Sequence, residues 1–156
     1  MKQIDTLLLT YGESHMNATN KLIHWVCVPA IMFSLLALLF AIPFLTERTW
    51  YANWAMVFLV FAWIYYARLS MVMLIGFLII GCLMLWGIYG LYVIAEFDAG
   101  KLALYALIIF AVAWIGQFIG HKIEGKKPSF LQDVQFLLIG PAWLMHFVFR
   151  KVGIRY

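Results

Sequence analysis

Four long runs of this sequence carry no formal charge. No Asp, Glu, Lys or Arg occurs in residues 22–46, 49–67, 69–95 or 102–121. A helix needs about 20 consecutive apolar residues to cross the hydrocarbon core of a bilayer, and each run has that length. The composition agrees: 66% of the residues are hydrophobic and 12% are charged, against about a half and a quarter in soluble domains. A 156-residue chain folded in water would have too little interior for this much apolar surface, and its exterior would be one apolar patch. This argues against a soluble enzyme, a disordered tail or a nucleic-acid-binding module. The chain is predicted to be an all-α, multi-pass transmembrane helical bundle forming a single integral membrane domain over residues 1–156.

The first span is expected over about 25–45, with Pro29 near its start and Pro43 near its end as helix termini. The second is expected over 50–67, stopping at Arg68. The third, over 69–95, contains Gly76, Gly81, Gly87 and Gly90, small residues that permit close helix contact in lipid. The fourth covers 102–120. A last apolar stretch, 134–149, is interrupted by Gly140-Pro141 and reads either as a marginal fifth crossing or as a re-entrant helix. Cys27 and Cys82 lie inside apolar stretches with no Cys-x-x-Cys pairing and read as small buried hydrophobes. Residues 1–11 are amphipathic, contain Asp5 and lack a small-residue cleavage site, so they read as an interfacial helix rather than a signal peptide.

Alternation of the four spans puts Lys2, Lys21, Arg68, Lys122, Lys126 and Lys127 on one side and only Arg48 and Lys101 on the other. The positive-inside rule assigns the first group to the cytoplasm. Arg150, Lys151 and Arg155 join it if the last segment does not cross.

The same topology, built without reference to the histidines, places His15 and His24 just before the first span and His121 just after the fourth. Histidine is the commonest metal ligand and titrates nearest neutrality. Three at one depth on one leaflet point to a metal site. On one continuous helix His15 and His24, nine residues apart, would face opposite ways. Asn17-Ala18-Thr19-Asn20 supplies a break. An interfacial helix is therefore predicted over about 3–13, with His15 at its exit, Asn20 as the cap of the first span and His24 in that span's first turn. Glu124, one turn after His121, has three readings: a ligand, an acceptor orienting a ligand imidazole, or a partner for Lys126 or Lys127. Gln117, one turn before His121, is an amide inside the bilayer that belongs either to the site or to helix packing. His146 joins the cluster only if the last segment folds back toward the same leaflet. Lys122, Lys126 and Lys127 read as head-group contacts, one of them a candidate anchor for a carboxylate.

Three segments together resemble a known family. They are Tyr11-Gly12-Glu13-Ser14-His15 with Asn20-Lys21-Leu22-Ile23-His24-Trp25 and Val28-Pro29; Trp114 to Pro128, containing Gly120-His121-Lys122-Ile123-Glu124; and Leu137-Leu138-Ile139-Gly140-Pro141. The chain resembles the 2-hydroxy-fatty-acid dioxygenase family of yeast phytosphingosine α-oxidation and its bacterial relatives. The resemblance implies a small multi-pass protein using Fe(II) and O₂ to shorten a 2-hydroxy fatty acid by one carbon. It implies iron ligation by His15, His24 and His121. No family motif position maps onto His146; from the residues themselves, Glu124 or His146 is a candidate fourth group. Tyr11 is a candidate hydrogen-bond or proton donor, and Lys122 a candidate partner for the substrate carboxylate. The implied partners are a 2-hydroxy fatty acid, O₂ and membrane lipid, with no nucleic acid; self-association into a homo-oligomer is admitted. The implied location is a bacterial inner membrane, or the endoplasmic reticulum in a eukaryote, with the metal on the cytoplasmic side. The rival readings are a haem-binding protein and a membrane scaffold with structural zinc, neither having oxygenase activity. A transporter fits least, because the spans contain no mid-membrane charge.

Overall fold

The computed structural model describes residues 3–127 and 135–155. Lys2, Pro128 and residues 128–134 of the expected loop and final stretch lie outside the described residues. Six helices make up the described fold: α1 (Gln3–Gly12), α2 (Ala18–Ala41), α3 (Trp54–Leu69), α4 (Met71–Ile94), α5 (Ala99–Glu124) and α6 (Phe136–Lys151).

Short polar side chains start four of them, by accepting backbone N–H groups that have no partner within the helix. Asn17 Oδ1 accepts from Thr19 N at 2.9 Å and Asn20 N at 3.3 Å. Asn53 Oδ1 accepts from Met56 N, Ser70 Oγ from Met73 N and Asp98 Oδ1 from Lys101 N. Gly125 ends α5 in the left-handed region at φ 74°, and Lys126 N reaches back to the His121 carbonyl.

Two boundaries differ from the sequence expectation. Asn17, not Asn20, caps α2, so the helix begins earlier and His24 stands in its second turn. The same shift places Pro29 inside α2 instead of at its start, while Ile42-Pro43 does end it.

Helices α2, α4 and α5 are long and apolar enough to cross a membrane. The second expected span is shorter. Residues 49–53 are drawn into a turn by Asn53 Nδ2, which donates to the Thr49 and Trp50 carbonyls at 3.0 Å. That leaves α3 with 16 residues, about 24 Å against a core of about 30 Å. Helices α2, α3 and α4 nevertheless run alternately between two apolar clusters, and α5 runs from the second of them to the histidines. One joins Tyr66, Met73 and Phe77 to α1 and α6. The other, at the opposite end, joins Phe40, Leu59, Ile88 and Leu102. Every buried hydrophobic side chain of α6 belongs to the first cluster, from Ile139 to Phe149. The final helix is packed along one end of the bundle and does not run between the clusters.

Outward faces stay apolar: Phe61, Trp86, Val112 and Ile115 are all more than half exposed. Such a surface suits lipid and not water. Cys27 and Cys82 are unpaired; Cys27 is half-buried, and Cys82 is exposed on this apolar exterior rather than buried as expected.

The closest helix pair is α2 with α5. A Cβ on Gly116 would lie 2.6 Å from Cys27 Sγ, and one on Gly120 would lie 2.5 Å from Asn20 Oδ1. These glycines, one turn apart, let the helices approach where side chains would separate them. Within α4, Gly76 and Gly81 likewise receive Phe149 and Trp63. Gly116→Ala is expected to destabilise the protein by about 1–3 kcal/mol through overpacking. Adding Cys27→Ala should recover most of that loss. Thermal unfolding in detergent of both single variants and the double variant checks the coupling.

Candidate metal centre

His15 leaves the turn after α1, His24 projects from α2 and His121 from α5. All three are buried. Their rings lie 4.3, 5.1 and 5.0 Å apart, centroid to centroid. One ring nitrogen from each falls within 4.8 Å of the others. The structure therefore brings together the three histidines that the topology placed on one face.

Backbone contacts decide which nitrogens face the centre. His15 Nδ1 lies 2.7 Å from the Tyr11 carbonyl, and His24 Nδ1 lies 2.9 Å from the Asn20 carbonyl. A carbonyl only accepts, so each Nδ1 carries the hydrogen and each Nε2 presents a lone pair. Those two Nε2 atoms are 2.9 Å apart. Two lone pairs so placed repel unless a cation lies between them. A proton is a poor candidate at His15, because burial pushes that imidazole down to about 3, outweighing the Tyr11 hydrogen bond that raises it, with His24 and His121 lowering it further. A metal ion fits: two nitrogens each about 2.1 Å from one ion stand about 3 Å apart when they occupy adjacent positions. His121 adds a buried Nδ1 without a hydrogen-bond partner among the described residues. An all-imidazole set suits zinc, copper, iron or nickel and not magnesium or calcium.

Glu124 has other work than the sequence readings gave it. Its oxygens accept from Met16 N at 2.8 Å, Asn17 N at 2.9 Å and Asn20 Nδ2 at 2.9 Å. It touches neither a histidine ring nor Lys126 or Lys127 in these bonds, and instead latches the 15–20 turn onto α5. Lys126 Nζ donates to the Glu13 carbonyl at 2.6 Å and draws the same turn in from its other side. The Asn20 carbonyl then fixes His24. Glu124 thus ties both the turn that carries His15 and the start of α2, which carries His24, to α5.

Tyr11 stacks on His15, with centroids 4.2 Å apart and planes 15° from parallel. Burial raises its hydroxyl pKa, so it stays protonated. Trp143 of α6 packs on both rings, a contact no sequence pattern announced. Gln117 is buried one turn before His121. Lys122 and Lys127 are exposed. His146 stands outside the group of three: it sits half-buried on α6 against Phe147, with Asp5 and Arg150 as the charges acting on it. The glycines that seat α5 against α2 were legible as a Gly-x-x-x-Gly spacing at Gly116 and Gly120, although the sequence reading passed over it.

A family model described as 2-hydroxy-palmitic acid dioxygenase Mpo1-like matches residues 1–152. No curated protein and no solved structure matches the chain.

Removing the latch should loosen the site without touching a ligand. Glu124→Ala is expected to speed amide exchange at Met16 and Asn17 and to weaken divalent-metal affinity about 10–100-fold. Hydrogen-exchange mass spectrometry and chelator competition check the two effects.

Proposed function

The chain belongs to the Mpo1-like family, and from that membership we propose that it is an Fe(II)-dependent membrane dioxygenase that α-oxidises 2-hydroxy fatty acids, shortening them by one carbon. The observation that carries the reading is the convergence of His15, His24 and His121 with two Nε2 lone pairs turned to one point. Three imidazoles leave part of a coordination sphere free for other ligands, as an oxygenase requires. When bound, Fe(II) supplies a centre at which O₂ and the oxygens of a 2-hydroxy acid meet.

The chain's own residues do the rest. The Tyr11 and Asn20 carbonyls hold His15 and His24 in one tautomer and one orientation. Tyr11, protonated and stacked on His15, is assigned as a proton or hydrogen-bond donor. We assign Glu124 to positioning the turn and Lys122 to attracting carboxylates at the membrane surface. His146 receives no ligand role. Tight packing of the three rings favours a single ion over haem, since no two of them leave a gap for a porphyrin plane.

In this reading α3 is a fourth, short crossing accommodated by local bilayer thinning, and α6 is re-entrant. Lys21, Arg68, Lys122 and Lys126 then share the metal's face, which is cytoplasmic by the positive-inside rule. The setting is a bacterial inner membrane or the endoplasmic reticulum, the whole chain is one domain, and a homo-oligomer is compatible with it. A metal at this boundary lets the head group stay near water while the tail lies among the helices, out of water. Each methylene kept there is worth about 0.8 kcal/mol.

Anaerobic reconstitution with Fe²⁺, followed by 2-hydroxypalmitate and O₂, tests the assignment. The expected product is the one-carbon-shorter acid. His24→Ala and His121→Ala should lose iron and product together, by more than the 10–100-fold typical of outer partners. Iron binding undiminished in both variants, or a strong Soret band, overturns the reading. A tightly held zinc without turnover makes the site structural.

A further inference from the structure

A cavity opens beside His121, the one histidine of the three in its wall, and runs into the bundle between α2, α3, α4, α5 and the start of α6. His121, Gln117 and Tyr11 bound one end. Leu36 and Leu59, which belong to the far apolar cluster, bound the other. Val28 and Leu36, both in its wall, are separated by about 12 Å along α2, far longer than a head group alone. Trp63 closes one side, its Nε1–H donating to the Phe77 carbonyl at 3.0 Å and its indole seated over Gly81. A cavity with polar groups at one end only accepts an amphiphile in one direction. Here the polar end lies at His121, Gln117 and Tyr11, and the apolar end points toward the middle of the bundle.

Gln117 stands at that polar end, 4% exposed, and its Nε2 has no hydrogen-bond partner among the described residues. Buried donors are normally paired. This one lines the cavity one turn from His121, so an acceptor on a bound molecule would satisfy it. We propose that the cavity is the binding site of a single long-chain carboxylic acid, its tail reaching Leu36 and Leu59, and that Gln117 donates from Nε2 to the head group beside the histidines. The head group's identity as a 2-hydroxy acid rests on the oxygenase reading; the fit of an acyl chain does not.

The test needs no metal and no turnover. Hexadecanoic acid with a terminal diazirine is added to the full-length protein in lipid nanodiscs, irradiated, and the adducts mapped by mass spectrometry. Adducts at Leu36, Leu59 or Met84 are expected. Adducts confined to the lipid-facing Phe61, Ile79 or Val112 overturn the cavity assignment. Gln117→Leu and Gln117→Met keep the volume and remove the donor. Both should raise the acid concentration for half-maximal labelling about tenfold and leave labelling by a diazirine hydrocarbon without a carboxyl unchanged, which also reports that the cavity is intact. Unchanged acid labelling in both variants overturns the role of Gln117. In Leu59→Ala the cavity deepens, and the preferred acid should lengthen; an unaltered preference counts against the tail's placement. Capture of the acid by a protein that yields no shortened product upholds this site and overturns the oxygenase reading.

Discussion

The seam between α2 and α5 governs this structure. These antiparallel helices carry His24 and His121, and the two rings meet only because Gly116 and Gly120 present no side chain between them. In lipid, apolar side chains gain little from meeting each other, so helix association depends on close packing and on polar contacts. Gly116 on Cys27 supplies the first. At Gly120 the close approach brings Asn20 of α2 beside α5, where its side chain bonds Glu124, and so supplies the second.

From that seam the third histidine follows. His15 is on neither helix. It is delivered by a five-residue turn whose N–H groups end on the Glu124 carboxylate and whose carbonyl at Glu13 ends on Lys126. A carboxylate accepting several N–H groups is a strong anchor, and with the Lys126 bond it adds polar contacts to the apolar packing of α1 on α6 in holding the α1–α2 connection. Tyr11 and Trp143 then cover the outer face of His15. The result is a buried imidazole cluster in which the Nδ1–H groups of His15 and His24 are tied to backbone and their Nε2 atoms face each other, with His121 bordering a cavity that continues into the apolar interior.

Much of this was readable from the chain alone. Charge-free runs located the helices, and the alternation of those runs put three histidines on one face. Asn17 to Asn20 was legible as a break, but the cap fell on Asn17, because its side chain reaches two N–H groups there and frees Asn20 to bond Glu124. Pro29 reads as a terminus only if the helix starts late, and it moved inside once α2 began at Ala18. The second run looked long enough to cross, yet Asn53 spends its first residues on a turn. Hydropathy counts apolar residues and does not see which of them a side-chain hydrogen bond removes from the helix.

By itself, then, the sequence determined the helical class, the apolar runs and the end of the bundle at which three histidines meet, since each follows from where charges are excluded along one dimension. Tertiary structure alone decided which nitrogens face one another, that Glu124 binds backbone and not a neighbouring ring, that His146 stands apart, and that Gln117 looks into a cavity. Those outcomes turn on differences of an ångström or two between helices that are distant in the chain, and spacing along a single helix carries no information about them.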